Sequence, residues 1–169
     1  VTGDATTITY IAQWKEITNV YTLNVTATNE GEFPDSTTTK NITLVAGSNI
    51  LNSIAYLPNP IFKDSSAVKV FNKYTYEDGT EISPSDIVNK DNINIKATYR
   101  IKTLEECSWE EIKTISNQGA EFAESYFGPV NSDAPLAKTV MVNGQPHKVR
   151  IIGYGHDIDA SSNSIGITF

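Results

Sequence analysis

Metal-binding and redox-active side chains are scarce in this 169-residue chain, which has one cysteine and two histidines. A single cysteine excludes an internal disulfide, so a small fold must be held by its hydrophobic core or by repetition. No apolar run approaches the roughly 20 residues that a membrane-spanning helix needs, and no signal-peptide pattern opens the sequence. Because the first residues are polar and rich in threonine, we expect the chain to be cut from a longer one.

Basic residues are also fewer than acidic ones. The chain has 13 basic and 20 acidic residues and a net charge of −7. Up to Lys102 there are 9 basic and 11 acidic residues, and after it 4 basic and 9 acidic. Neither part has the positive field that phosphate groups require, so nucleic acids and anionic membrane surfaces are not expected partners.

The first hundred residues are rich in threonine, asparagine, isoleucine, valine and tyrosine. Tyr21, Leu23 and Val25 alternate with polar residues, which predicts a strand with one buried face. Similar patterns predict strands at 41–46, 68–76 and 93–99, turns at 29–32 and 77–80, and a short helix within 48–56.

A short pattern occurs twice in this part of the chain. Residues 10–14 read YIAQW and residues 95–99 read IKATY, so each strand ends in alanine, one residue and an aromatic. Each follows an Asp-bearing turn, and the two copies lie about 85 positions apart. The repetition predicts that residues 1–16 are the end strand of a preceding repeat and that the protein strings like units together.

The segments FNKY at 71–74, EDGTEI at 77–82 and the strand at 88–99 resemble the Listeria–Bacteroides type repeat of bacterial surface proteins. Lys73 stands where that family has glycine, and Tyr74 and Tyr99 stand where tryptophan is usual. The resemblance implies a small β-grasp-like fold for residues 17–102.

The sequence changes character at Thr103. Ser108 and Glu111 have the spacing of a capping box, which predicts a helix through Ile112 and Ile115 that ends at Gly119. Residues 120–127 predict a second short helix, stopped by glycine and proline at 128–129. Residues 138–142 and 147–152 predict a hairpin around Asn143-Gly144.

The order SWEEI at 108–112, IIGYGHD at 151–157 and ITF at 167–169 resembles the DUF6273-type domain of Firmicute phage-tail and surface proteins. That family continues past the ITF strand, so we expect residues 103–169 to be an incomplete domain. The resemblance implies no chemistry. The whole chain is therefore predicted to be α+β, with a β-grasp-like repeat followed by two short helices and a β-hairpin.

His156, Asp157 and Asp159 form the best candidate cluster for a metal ion or a general base. The alternative is a hydrogen-bonded loop that anchors the end of a strand, because zinc needs more nitrogen or sulfur ligands and calcium more oxygens. No metal or other cofactor is predicted.

Cys107 precedes the helix that Ser108 opens, where a thiol is either activated by the helix terminus or buried as a small core residue. Acidic residues in a first helical turn stabilise the helix through its dipole, although paired carboxylates also serve acid–base chemistry. The acidic residues concerned are Glu105, Glu106, Glu110 and Glu111. No catalytic residue is predicted.

Aromatic side chains leave two interpretations open, since planar rings stack on sugars and also fill small cores. The strand pattern favours the core for Tyr74 and Tyr99, and Trp14 and Tyr76 are the candidates for ligand binding. The sequence thus predicts a non-catalytic structural or adhesive module, extracellular on a bacterial surface or in a phage tail. Its partner would be a host or bacterial surface component. A glycan- or ligand-binding module is the alternative, and a fragment of an enzyme completed beyond Phe169 is a third reading.

Overall fold

The computed structural model describes residues 11, 19–63, 68–130, 136–158, 160–161 and 166–169. The first copy of the repeated pattern, at residues 10–14, is almost wholly outside these ranges. The end strand expected at residues 1–16, and with it the division of the chain into repeats, therefore stays a prediction.

Eight strands and three helices are assigned within the described ranges. The strands are β1 (Val20–Thr26), β2 (Gly31–Glu32), β3 (Thr39–Val45), β4 (Ile61–Phe62), β5 (Lys69–Tyr76), β6 (Ile93–Ile101), β7 (Ala137–Val142) and β8 (Gln145–Arg150). The helices are α1 (Ile50–Ile54), α2 (Trp109–Ser116) and α3 (Ala120–Phe127). The predicted α+β class is confirmed.

Four strands form one mixed sheet in the order β3-β1-β6-β5. The central pair, β1 and β6, is parallel, and both outer pairs are antiparallel. The connection between the parallel strands contains α1 together with β2–β5, which satisfies the need of parallel strands for a connection of about a dozen residues or more. This strand order is compatible with the β-grasp-like arrangement inferred above, which stays a prediction at that level of detail.

Alternation along the strands places one face of the sheet in a first hydrophobic cluster. Leu23 and Val25 of β1 are fully buried beside Ile93 and Ile95 of β6, their partners in register. The cluster also contains Ala27, Phe33, Ile50, Ile54, Ile82 and Val88. Intervening positions are polar, and Asn24 donates a hydrogen bond to Asn94 across the two strands, 2.8 Å long.

Strand β5 contains an irregularity that the sequence did not predict. Its register against β6 shifts between Phe71 and Lys73, so Asn72 is left without a partner residue. The extra residue is a β-bulge, and it resets which side chains face the core. After it, Tyr74 lies opposite Ala97 and packs against the first cluster, as the sequence pattern favoured.

The turn predicted at 29–32 is only half correct. Gly31–Glu32 forms a two-residue ribbon with Ile61–Phe62, a long-range contact with no local signal. Gly31 is buried against Tyr99, and a Cβ atom there would lie 1.8 Å from the Tyr99 hydroxyl. This contact explains why a residue without a side chain occupies the position.

Most predictions made from local sequence signals in the second part of the chain are confirmed. Ser108 and Glu111 form the predicted capping box at the start of α2. The prediction that Gly119 ends α2 is wrong, because α2 is capped by Asn117 and Gly119 is the N-cap residue of α3. Strands β7 and β8 meet at a two-residue turn in which Asn143 and Gly144 both have positive φ.

A second hydrophobic cluster is centred on α2 and α3. Ile112 and Ile115 face inward from α2, whereas Trp109 keeps 48% of its surface exposed and packs edge-on against Phe169. The other buried members are Leu104, Cys107, Ala123, Leu136, Ile151 and Ile167. Two clusters on either side of Lys102 are what the predicted boundary at 102–103 requires, and that boundary stays a prediction.

Replacing Tyr99 by phenylalanine tests the packing between the sheet and the β2–β4 ribbon. The Tyr99 hydroxyl donates a 2.7 Å hydrogen bond to the carbonyl oxygen of Ala27, a fully buried residue. We expect Tyr99→Phe to lower the free energy of unfolding by about 1–3 kcal/mol, because that carbonyl loses its partner. Urea unfolding measures the change.

Tyr56→Phe is the matched control, because Tyr56 is 92% exposed and surface changes of this kind stay within about 0.5 kcal/mol. Equal stability of both variants would show that the Tyr99 hydroxyl contributes nothing.

Candidate functional site

The first region of chemical interest is the junction between the two hydrophobic clusters. Arg100 at the end of β6 makes two hydrogen bonds, of 2.7 and 2.5 Å, to the carboxylate of Glu106. Lys102 donates a 2.6 Å bond to Glu111. The Tyr126 hydroxyl of α3 donates to the carbonyl oxygen of Val68, next to β5. These contacts tie the sheet to the two helices.

The four acidic residues near α2 hold structural positions. Hydrogen bonds from Arg100 and from the Thr103 backbone lower the pKa of Glu106 to about 2. Hydrogen bonds from Thr139, with Lys148 nearby, hold the pKa of Glu105 below its ordinary value. Glu111 closes the capping box, and Glu110 lies in the first turn of α2, where the helix dipole favours a negative charge.

Cys107 is a core residue. Its side chain is 1% exposed and belongs to the second cluster. Burial, with a contribution from nearby Glu111, raises the pKa of the thiol to about 11. The thiol is therefore protonated at neutral pH, and the core interpretation of this residue is the one that its position supports.

The candidate metal cluster at residues 156–159 is described only in part. His156 is exposed and its ring lies over Gly153, where a Cβ atom would come within 2.8 Å. Asp157 is exposed and accepts a 2.8 Å hydrogen bond from the Thr168 hydroxyl. Asp159 lies outside the described residues. Within the described ranges, no three histidine, cysteine, aspartate or glutamate side chains converge to hold a metal.

The aromatic candidates for ligand binding have different outcomes. Trp14 lies outside the described residues. Tyr76 packs against the first cluster, and its hydroxyl donates a 2.9 Å bond to Asp86. Burial, reinforced by Asp86, raises the pKa of Tyr76 to about 12. Tyr76 is only partly buried and lines a cleft together with Glu77 and Asp86, so its role in ligand binding stays a prediction.

A groove of about 740 Å³ beside α1 was missed by sequence reasoning. Its floor is apolar and is formed by Ile54, Leu57 and Ile82 together with the rings of Phe71 and Tyr74. Its rim carries Asn59, Asn72 and the Lys73–Glu81 ion pair of 2.7 Å. The β-bulge in β5 brings Asn72 to this rim, and bulges often aim a side chain at a functional site.

No local sequence signal could have located this groove, because its walls come from segments far apart in the sequence and the bulge in β5 is itself not predicted by the sequence. The buried Tyr74 hydroxyl makes no hydrogen bond to any described residue, and burial raises the pKa of Tyr74 to about 12. An apolar floor with a few polar rim groups is typical of small-molecule sites.

Comparison with protein-family models, with curated proteins and with solved structures finds nothing that matches this chain. The two family resemblances therefore stay predictions. Among the described residues, no helix is both long and apolar enough to cross a membrane.

We predict that Cys107 resists thiol reagents in the folded protein and reacts fully in denaturant. A disulfide reagent at pH 8 measures both rates on the same single thiol.

The raised pKa of the Cys107 thiol also makes the stability of the fold depend on pH. The folded thiol keeps its proton while the unfolded thiol, with a pKa of 9.0, loses it, so this contribution is complete below pH 9 and is lost as the pH rises through about 11.

Cys107→Ala removes the titrating group, so the stability difference between the original chain and this variant should shrink over that pH interval. A difference that stays constant from pH 8 to pH 11 would contradict the assigned shift.

Proposed function

We propose that the chain is a non-catalytic structural or adhesive module of a bacterial cell-surface or phage-tail protein. The observation that carries the proposal is the junction between the two hydrophobic clusters. Only residues 102–108 separate β6 from α2, and this connection is bonded to both sides through Arg100–Glu106 and Lys102–Glu111. A short, multiply bonded connection suits a module that transmits force along a string of units.

The sequence supports the same proposal from another direction. The repeated ending at residues 10–14 and 95–99 is typical of strung repeats, and the resemblances described above are to surface and phage-tail families. The carboxylates and the thiol near α2 have structural partners or are buried. The proposed location is extracellular, with a host or bacterial surface component as partner.

A rigid junction predicts that both units tumble as one body. We expect ¹⁵N relaxation to give a single rotational correlation time for residues 19–102 and 103–169. Glu106→Gln combined with Tyr126→Phe removes one ion pair and one hydrogen bond of the junction. In this variant we expect two shorter correlation times, with both clusters still folded.

Glu81→Gln with Tyr56→Phe is the matched control, because it removes an ion pair and a hydroxyl away from the junction. Independent tumbling in the original chain would refute the rigid module.

Antibody labelling of intact producer cells and of phage particles checks the proposed extracellular location. An exclusively intracellular signal would contradict that part of the proposal.

Glycan binding is the second candidate function, and the groove beside α1 is the observation that favours it. The ring centroids of Phe71 and Tyr74 lie 4.8 Å apart in this groove. Apolar rings with amide and charged neighbours suit a sugar, whose surface is partly apolar and partly polar. The site proposed here differs from the earlier candidates Trp14 and Tyr76.

A glycan array followed by titration of any hit tests this candidate. We expect Asn72→Ala to weaken binding about threefold to tenfold, as the loss of one hydrogen bond would. Asn52→Ala is the control, because Asn52 is exposed on α1 and does not line the groove. An array without hits, or equal losses in both variants, would remove this candidate.

A further inference from the structure

A second groove, of about 850 Å³, lies where the two units meet. Its walls come from the end of β6, the end of α3 and the start of β7. The apolar residues that line it are Ile101, Leu104, Tyr126, Phe127, Leu136 and Ala137. The groove therefore offers hydrophobic surface from both sides of the junction, and burial of apolar surface is favourable by about 25 cal/mol per Å².

Three cationic side chains line the same groove, and two of them have a carboxylate partner. The Lys102 ammonium group is 2.6 Å from Glu111. Lys148 is 3.5 Å from Glu105, whose carboxylate also accepts a 2.7 Å hydrogen bond from the Thr139 backbone. Glu105 itself lines the groove, and its negative charge is engaged by Lys148 and by the Thr139 backbone.

Arg150 is the third cationic side chain that lines the groove. Its guanidinium group makes no ion pair with any residue that the structure describes. Arg150 lies two positions after Lys148 on β8, so both side chains leave the same face of the hairpin. Their partners in register are Ala137 and Thr139, which places the free cation beside the apolar wall.

Arg150 is exposed, so its guanidinium group is accessible to a ligand that enters the groove. Guanidinium groups bind carboxylates through two parallel hydrogen bonds. A groove with one free guanidinium and an apolar wall complements a ligand that has one carboxylate and an apolar body. Its volume is within the range of metabolite-binding sites.

We propose that the junction groove binds a small amphiphilic carboxylate, with Arg150 holding the carboxylate and the Leu104–Phe127–Leu136 wall holding the apolar body. The ligand would contact both units, because Ile101 belongs to the sheet and Phe127 to the helical part. This proposal does not depend on the location or the adhesive role proposed above.

Titration of the full ¹⁵N-labelled chain with octanoate tests the proposal. Octan-1-ol is the matched probe without charge, and acetate is the matched probe without an apolar body. We expect octanoate to shift the amide resonances of residues 101–105, 126–127, 136–137 and 148–150. We expect it to bind at least about tenfold more tightly than either control probe, and less tightly at high salt.

Two pairs of variants separate charge from folding. Ala137→Glu places a carboxylate opposite Arg150 in the β7–β8 register and should abolish octanoate binding, whereas Ala137→Gln should retain it. Arg150→Gln should weaken binding at least about tenfold. Lys113→Gln, which removes an exposed cation of α2 outside the groove, should leave it unchanged.

Any of the following outcomes would overturn the proposal: no shifts at millimolar octanoate, equal binding of octan-1-ol, or unchanged affinity in Arg150→Gln. Shifts confined to the groove beside α1 would also overturn it, and they would favour the glycan candidate site as the place where apolar ligands bind.

Discussion

The parallel pairing of β1 with β6 is the contact on which the rest of the first unit depends. It brings residues 23–26 against residues 93–96, and every other strand of the main sheet joins one of these two. Chain entropy opposes such a distant contact until both strands are in place. The energy that offsets it comes from Leu23, Val25, Ile93 and Ile95, which are buried together on one face.

This dependence explains what local sequence signals could and could not predict. The capping box of Ser108 and the turn at Asn143-Gly144 need only neighbouring residues, and both were predicted correctly. Strand β1 was also predictable, because its alternation is local. The β2–β4 ribbon was not predicted because it depends on the contacts of Gly31 with Tyr99 and Phe62, which are far away in sequence.

The two grooves were not predicted from the sequence, for the same physical reason. Both grooves are assembled from segments that meet only in the folded chain, such as Leu57 with Phe71, or Ile101 with Arg150. A sequence offers candidate residues only by type, such as Trp14 and Tyr76, and the role of these two in ligand binding stays a prediction. That Arg150 has no ion pair with a described residue could not be predicted from the sequence, because its neighbours are known only from the fold.

The direction of the pKa shifts near the junction bears on the proposed absence of catalysis. A general acid or base works best when its pKa lies near the working pH, which for a carboxyl group means an upward shift. Here the pKa of Glu106 moves down to about 2 and that of the Cys107 thiol moves up to about 11. Both groups are thereby moved further from neutrality.

The same hydrogen bonds that lower the pKa of Glu106 also hold the sheet to the helices. Protonating that carboxyl group would weaken the junction, so its shift is best explained as a consequence of connecting two units. An enzyme that used Glu106 for proton transfer would have to break the Arg100–Glu106 ion pair in each cycle. These shifts are consistent with the proposal of a module whose units stay joined, in which the proposed ligand sites are the two grooves rather than the charged groups around α2.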